Sequence, residues 1–145
     1  MKKRIKIIIT VVLIILTICA VRGIFNPERR IKNFVNQNGG ELTAIAEAYL
    51  RSDATTRTYK GVEVEQVFRG NHDIVQFYYG GFGIAPASKY YGFYYSPDDV
   101  PTAYENVNCR LSAVSGDEWA WSDGTDNGGR TLRIIKNWFY YEAWF

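Results

Sequence analysis

One histidine, a single cysteine beyond the N-terminal apolar run and two small acidic groups are all that this 145-residue chain offers for bond-making chemistry. His72 is the candidate general base, because imidazole is the side chain that ordinarily titrates near neutral pH. It sits in the turn Gly70-Asn71-His72-Asp73. No motif sets a serine, cysteine or carboxylate beside it, so the pattern reads as a solvated turn histidine. Cys109 has no histidine or carboxylate pattern that would make it a nucleophile, and it reads as a buried, inert thiol. Asp98, Asp99 and Glu105 are close enough along the chain to form an acid–base set. Their neighbours Ser96, Pro97, Pro101 and Asn106 mark an exposed loop, where such charges are solvated. Asp123, Thr125, Asn127 and Gly128 fall in register with the first half of a calcium loop, but its last ligand position holds Ile134 instead of glutamate. Calcium at Asp123, Thr125 and Asn127 is thus the only metal candidate, and a plain strand connection is the favoured reading. No phosphate-binding glycine loop, paired-cysteine motif, nucleophile elbow or zinc signature occurs.

Aromatic residues are the other unusual resource, at 16% of the chain. Rings at consecutive positions in 90–95 and 138–145 must point to both faces of any strand they occupy. One helix cannot cover both faces. Either the sheet curls around its own rings, or one face stands open as a platform for a protein or cell-wall partner, with Tyr90, Tyr94, Trp119, Trp121, Trp138 and Tyr140 as its surface.

The elements that must position these groups are legible from periodicity. Asn26-Pro27-Glu28 is a helix start, with a capping side chain, proline in the first turn and an acid near the positive end of the dipole. Ile31, Phe34, Val35, Leu42, Ile45, Ala46, Tyr49 and Leu50 keep one helical phase to about residue 51, with Asn38 a gap in the stripe and Gly39-Gly40 a weak point. From residue 61 the period becomes two. Strands are expected at 61–69, 74–79, 90–95, 110–114, 118–122, 131–135 and 138–145, the last two joined by the two-residue turn Lys136-Asn137. The fold class is α+β: one amphipathic helix across a curved antiparallel meander of six or seven strands.

Residues 1–25 form a separate unit. A basic cluster (Lys2, Lys3, Arg4, Lys6) runs into an aliphatic segment, residues 5–21, at the short limit for a spanning helix. Its isoleucines, leucines and valines favour insertion by about 4–7 kcal/mol. A cleaved signal needs small residues at both recognition positions, and Ile18-Cys19-Ala20 supplies one, so an uncleaved signal-anchor is expected. Flanking charges nearly balance. The short N-terminal flank and the long following domain favour a cytoplasmic N-terminus and an extracytoplasmic domain, residues 26–145. Five of the 17 basic residues (Lys2, Lys3, Arg4, Lys6, Arg22) belong to the anchor, leaving 12 against 15 acidic groups in the domain. A domain with net charge −3 and no basic stripe is a poor nucleic-acid binder.

The segments YYGFYYSPDDVP (90–101), DNGGRT (126–131) and NWFYYEAWF (137–145) resemble those of a family of short, membrane-anchored proteins of Gram-positive bacteria. The resemblance implies a place in the bacterial cell envelope and carries no activity, ligand or site residue. Three functional expectations follow. The first is a non-enzymatic envelope module that binds through an aromatic sheet face, with the lipid bilayer and a protein or cell-wall component as partners. The alternatives are a small enzyme with a cleft near His72, and an immunity or regulatory protein of a neighbouring membrane system.

Overall fold

The computed structural model describes residues 26–145 except Asn71, Ala85 and Pro86. The expected membrane segment lies outside the described residues; among the described residues no helix is long and apolar enough to cross a membrane.

Helix α1, Pro27–Leu50, begins as its sequence demands. The Asn26 side chain accepts from the Arg29 N–H at 3.1 Å, and Glu28 pairs with Lys32 one turn on at 2.9 Å. Gly39-Gly40 does not break the helix. Ile31, Val35, Leu42 and Ala46 are wholly buried along one stripe. Asn38, the apparent gap, is also buried and ties that stripe to the sheet: its amide donates to the Phe34 carbonyl at 2.7 Å, and its oxygen accepts from Lys60 at 2.6 Å and Tyr59 at 3.3 Å.

Among the described residues eight strands follow: β1 Thr58–Tyr59, β2 Val62–Phe68, β3 Ile74–Ile84, β4 Ala87–Tyr95, β5 Ser112–Ser115, β6 Glu118–Ser122, β7 Gly128–Ile135 and β8 Trp138–Trp144. All pairs are antiparallel, in the order β1-β2-β3-β4-β8-β7-β6-β5. The expected single meander is therefore corrected. Two four-stranded meanders are joined where β8 pairs with β4 over Lys89–Tyr95 and Trp138–Trp144. The match is sealed at Gly92, where a Cβ would stand 2.2 Å from the Phe77 carbonyl oxygen and 2.5 Å from the Tyr141 hydroxyl. Register shifts in β2, β3, β5 and β7 add the bulges that curve such a sheet.

Alternation divides the rings between two cores. Val75, Phe77, Phe93, Tyr95, Trp138 and Tyr140 face α1. Ile74, Tyr94, Trp121, Phe139, Tyr141 and Ala143 face the other way, where the β4–β5 connection covers them with Ala103, Tyr104, Cys109 and Leu111. The stretch expected to be an exposed loop is thus a second lid. Ser96, Thr102, Ala103 and Tyr104 are buried within it.

Candidate functional site

Of the two alternatives, rings packed within the fold and an open aromatic platform, the burial of the candidate rings fits the first. Tyr94, Trp121, Trp138 and Tyr140 are buried, Tyr140 completely. Trp138 packs beneath α1, donating from its indole N–H to Thr43 Oγ1 at 3.2 Å. Tyr94 lies under the β4–β5 connection, where its hydroxyl accepts the Thr102 N–H at 2.8 Å, and burial pushes its pKa up to about 12. Tyr90 and Trp119 are half-buried; Tyr90 stacks on Tyr104 with centroids 6.1 Å apart, and Trp119 meets Phe139 edge-on at 6.3 Å. These residues are core, for a reason invisible in the pattern: the second face has its own cover.

Asp98, Asp99 and Glu105 do not form a set; Asp98 and Glu105 are exposed, as loop charges are expected to be, and Asp99 is half-buried. Asp99 accepts the Asn137 N–H at 2.7 Å and pairs with Arg133. Burial opposes its charge, but those two donors hold its carboxyl below the ordinary range. The Glu105 N–H donates to the buried Gln76 side chain at 3.1 Å. Asp98 instead stands 3.0 Å from His72 Nδ1, so the histidine does have a carboxylate partner, supplied from 26 positions downstream. Both side chains remain open to water, at 42% and 58%. His72 borders a cleft of about 450 Å³ whose walls also include Thr102, Asn106 and Cys109. Asn106 staples that cleft shut at its base, donating to the His72 carbonyl at 2.9 Å. The Asp123 loop is self-contained: Oδ1 accepts from the Thr125 N–H at 2.9 Å and its hydroxyl at 2.6 Å, and Oδ2 accepts from Asn127 at 2.9 Å. These donors, with little burial against them, lower the Asp123 pKa. Among the described residues no group of three or more His, Cys, Asp and Glu is arranged to hold a metal ion.

A charged knot ties α1 to the sheet. The Arg130 guanidinium donates to Glu28 at 2.7 Å, Glu142 at 3.0 Å and Glu118 at 3.3 Å, over the Tyr140 ring at 5.6 Å. Lys89 reaches Glu142 at 2.9 Å. Burial works against ionisation of both Glu28 and Glu142, yet the hydrogen bonds from Lys32, Lys89 and Arg130 win and lower both pKa values. The knot joins α1 to β4, β6, β7 and β8.

The open surface lies at the end of the sheet where β3 turns into β4. β3 outruns β2, whose partners stop at Tyr78, and carries Phe82 into water with 66% of its surface exposed. Phe82 stacks on Tyr91 at 6.0 Å. On one side of it a groove of about 320 Å³ is walled by Pro27, Arg30, Tyr79 and Tyr91; on the other a groove of about 330 Å³ is walled by Lys89, Trp144 and Phe145. Cations lie against rings in both: Arg30 is 5.9 Å from the Tyr79 centroid and Lys89 is 5.6 Å from Trp144. The residue pattern gives little notice of this end. Its only local signal is Gly80-Gly81-Phe82-Gly83, a lone ring among glycines that cannot bury it.

Comparison of the chain with protein-family models, with curated proteins and with solved structures returns no match.

Proposed function

We propose that this chain is a membrane-tethered, non-enzymatic binding module of the cell envelope whose working surface is the Phe82 end of the sheet. The observation that carries the reading is the contrast between Phe82, 66% exposed, and Phe77, Phe93 and Phe139, all fully buried. A chain that buries most of its rings on two faces has left Phe82, with Phe145 beside it at 40% exposure, in water along two grooves, as binding surfaces do. The tether rests on residues 5–21, whose composition favours insertion, with the domain outside.

The test places the photo-crosslinking residue p-benzoylphenylalanine at position 82 or, as a far-end control, at the exposed Val114 in the full chain within cells. Covalent adducts to an envelope component, of any chemistry, are expected at 82 and not at 114. Equal yields at both positions, or none, would sink the reading.

A second reading is kept alive by the His72–Asp98 pair and by Cys109 on the same cleft. A carboxylate that orients an imidazole is the arrangement a general base uses. If a hydrolytic activity of the full chain is found, His72→Gln should abolish it; full retention removes this candidate base.

A further inference from the structure

We infer that the surface which covers the Phe82 end is the lipid bilayer itself, the interfacial zone of the membrane in which segment 5–21 inserts. The inference rests on the tethered-module reading above and names the partner of that same surface. Three observations lead to it.

The first is where the described chain starts. Pro27, the first residue of α1, is itself a wall of the groove beside Phe82. Only five residues separate it from Val21, the last of the apolar run, and a fully extended stretch of that length reaches about 20 Å. Whatever path those residues take, the groove stays within that distance of the hydrocarbon boundary.

The second is composition. Phe82, Tyr79, Tyr91, Trp144 and Phe145 gather at this end with Arg30 and Lys89 laid against the rings. Aromatic bodies with polar tips, and cations on flexible apolar stems, are the residue types that settle at the membrane–water interface. The third is the other end of the domain. Arg69 donates to the Leu50 carbonyl at the C-terminus of α1, and the His72 cleft lies beside it. That end carries Asp73, Asp98, Asp99 and Asp117 around its turns, three of them paired with Arg69 or Arg133, whereas Asp126 is the one acid lining the two grooves beside Phe82. The domain therefore has a membrane-seeking end and a water-seeking end, with α1 running between them.

The experiment uses the full chain reconstituted in phosphatidylglycerol–phosphatidylcholine vesicles. Cys19→Ser and Cys109→Ser give a thiol-free background, and a nitrobenzoxadiazole fluorophore is attached at Phe82→Cys or at Val114→Cys. Doxyl-labelled lipids are expected to quench the label at 82 at least twofold and to leave the label at 114 unquenched. Both positions are exposed, so labelling leaves the core intact, which an unchanged melting midpoint verifies. Resistance to alkaline extraction is read on the same vesicles. An unquenched label at 82 in a chain that resists extraction overturns the inference and leaves the tether standing. A chain released by alkali overturns both. Quenching at 82 that is replaced by concentration-dependent self-quenching assigns the surface to a second copy and also overturns it.

Discussion

The two faces of the sheet carry similar loads of aromatic surface under different covers. On one, a 24-residue helix lays Ile31, Val35, Leu42 and Ala46 over Phe77, Phe93, Trp138 and Tyr140. On the other, an irregular connection lays Ala103, Tyr104, Cys109 and Leu111 over Tyr94, Phe139 and Tyr141. The helix satisfies its own backbone and can cover the face with apolar contact alone. An irregular segment must find partners for its backbone elsewhere, and it does so with borrowed side chains. The Thr102 N–H goes to the Tyr94 hydroxyl, and the Thr102 carbonyl accepts from Thr131 at 2.8 Å. Asn137 donates to the carbonyls of Ser96 and Pro97 at 2.9 and 2.8 Å. The helical cover is held chiefly by area and pinned at Asn38, Thr43 and Glu28, whereas the connection depends on aimed hydrogen bonds for its own backbone.

That difference is testable by substitution, and the largest effect belongs to the helix side. Trp138→Ala removes the ring that touches Phe77, Phe93 and Tyr95 and should cost about 4 kcal/mol in a denaturant titration. A loss under about 1 kcal/mol would mean the helical cover is loose. Next comes the connection. Tyr94→Phe keeps the stacked ring, 5.2 Å from Phe139, but strips the buried Thr102 N–H of its acceptor. About 2 kcal/mol should go, with amide exchange rising in residues 96–111 and not in α1. Uniform exchange across the domain would show that the connection does not depend on aimed bonds.

Acid should attack the helix side through the Arg130 knot. Glu28 and Glu142 have native pKa values below the ordinary 4.5, so their contribution is fully present above that pH and is lost as pH falls through the lowered values. Stability followed from pH 6 to 3 should fall at the acid end, and Arg130→Met should flatten that dependence. An identical acid profile in the variant would detach the two carboxylates from Arg130. The smallest effect has the opposite sign. Gly40 lies exposed within α1, and a Cβ added there would meet nothing within 4 Å, so Gly40→Ala should stabilise by about 1 kcal/mol and raise the melting midpoint. A drop would reveal a contact on the outer face of the helix.

The same contrast explains what the residue pattern discloses. A helix advertises its buried face within one local stretch, so Asn26, Pro27 and the stripe from Ile31 to Leu50 are readable. Even Asn38 shows as an interruption, though its bonds to Tyr59 and Lys60 come from outside the helix. Strand alternation is equally local, and Lys136-Asn137 is readable as a tight turn, with Asn137 at φ 68°. The connection has no period to read. Apart from Tyr104 its buried members, Ser96, Thr102 and Ala103, are small or polar, and the side chains that bond the connection lie on β3, β4, β7 and the β7–β8 turn. The pairing of β8 with β4 is hidden for a similar reason: it joins positions about 50 apart and depends on Gly92 admitting the Tyr141 ring. The His72–Asp98 contact and the projecting Phe82 follow from those long-range placements, so neither site is visible before the strands are set in order.

The unbroken passage of α1 through Gly39-Gly40 fixes a length. At 1.5 Å per residue its 24 residues make a rod about 36 Å long, clamped at one end by Arg130 and at the other by Arg69. Pro27 at its start walls a groove beside Phe82, and Arg69, bound to Leu50 at its end, walls the His72 cleft, so the rod acts as a spacer. The grooves beside Phe82 and the His72 cleft therefore stand about seven helical turns apart, so that a partner seated on one leaves the other open.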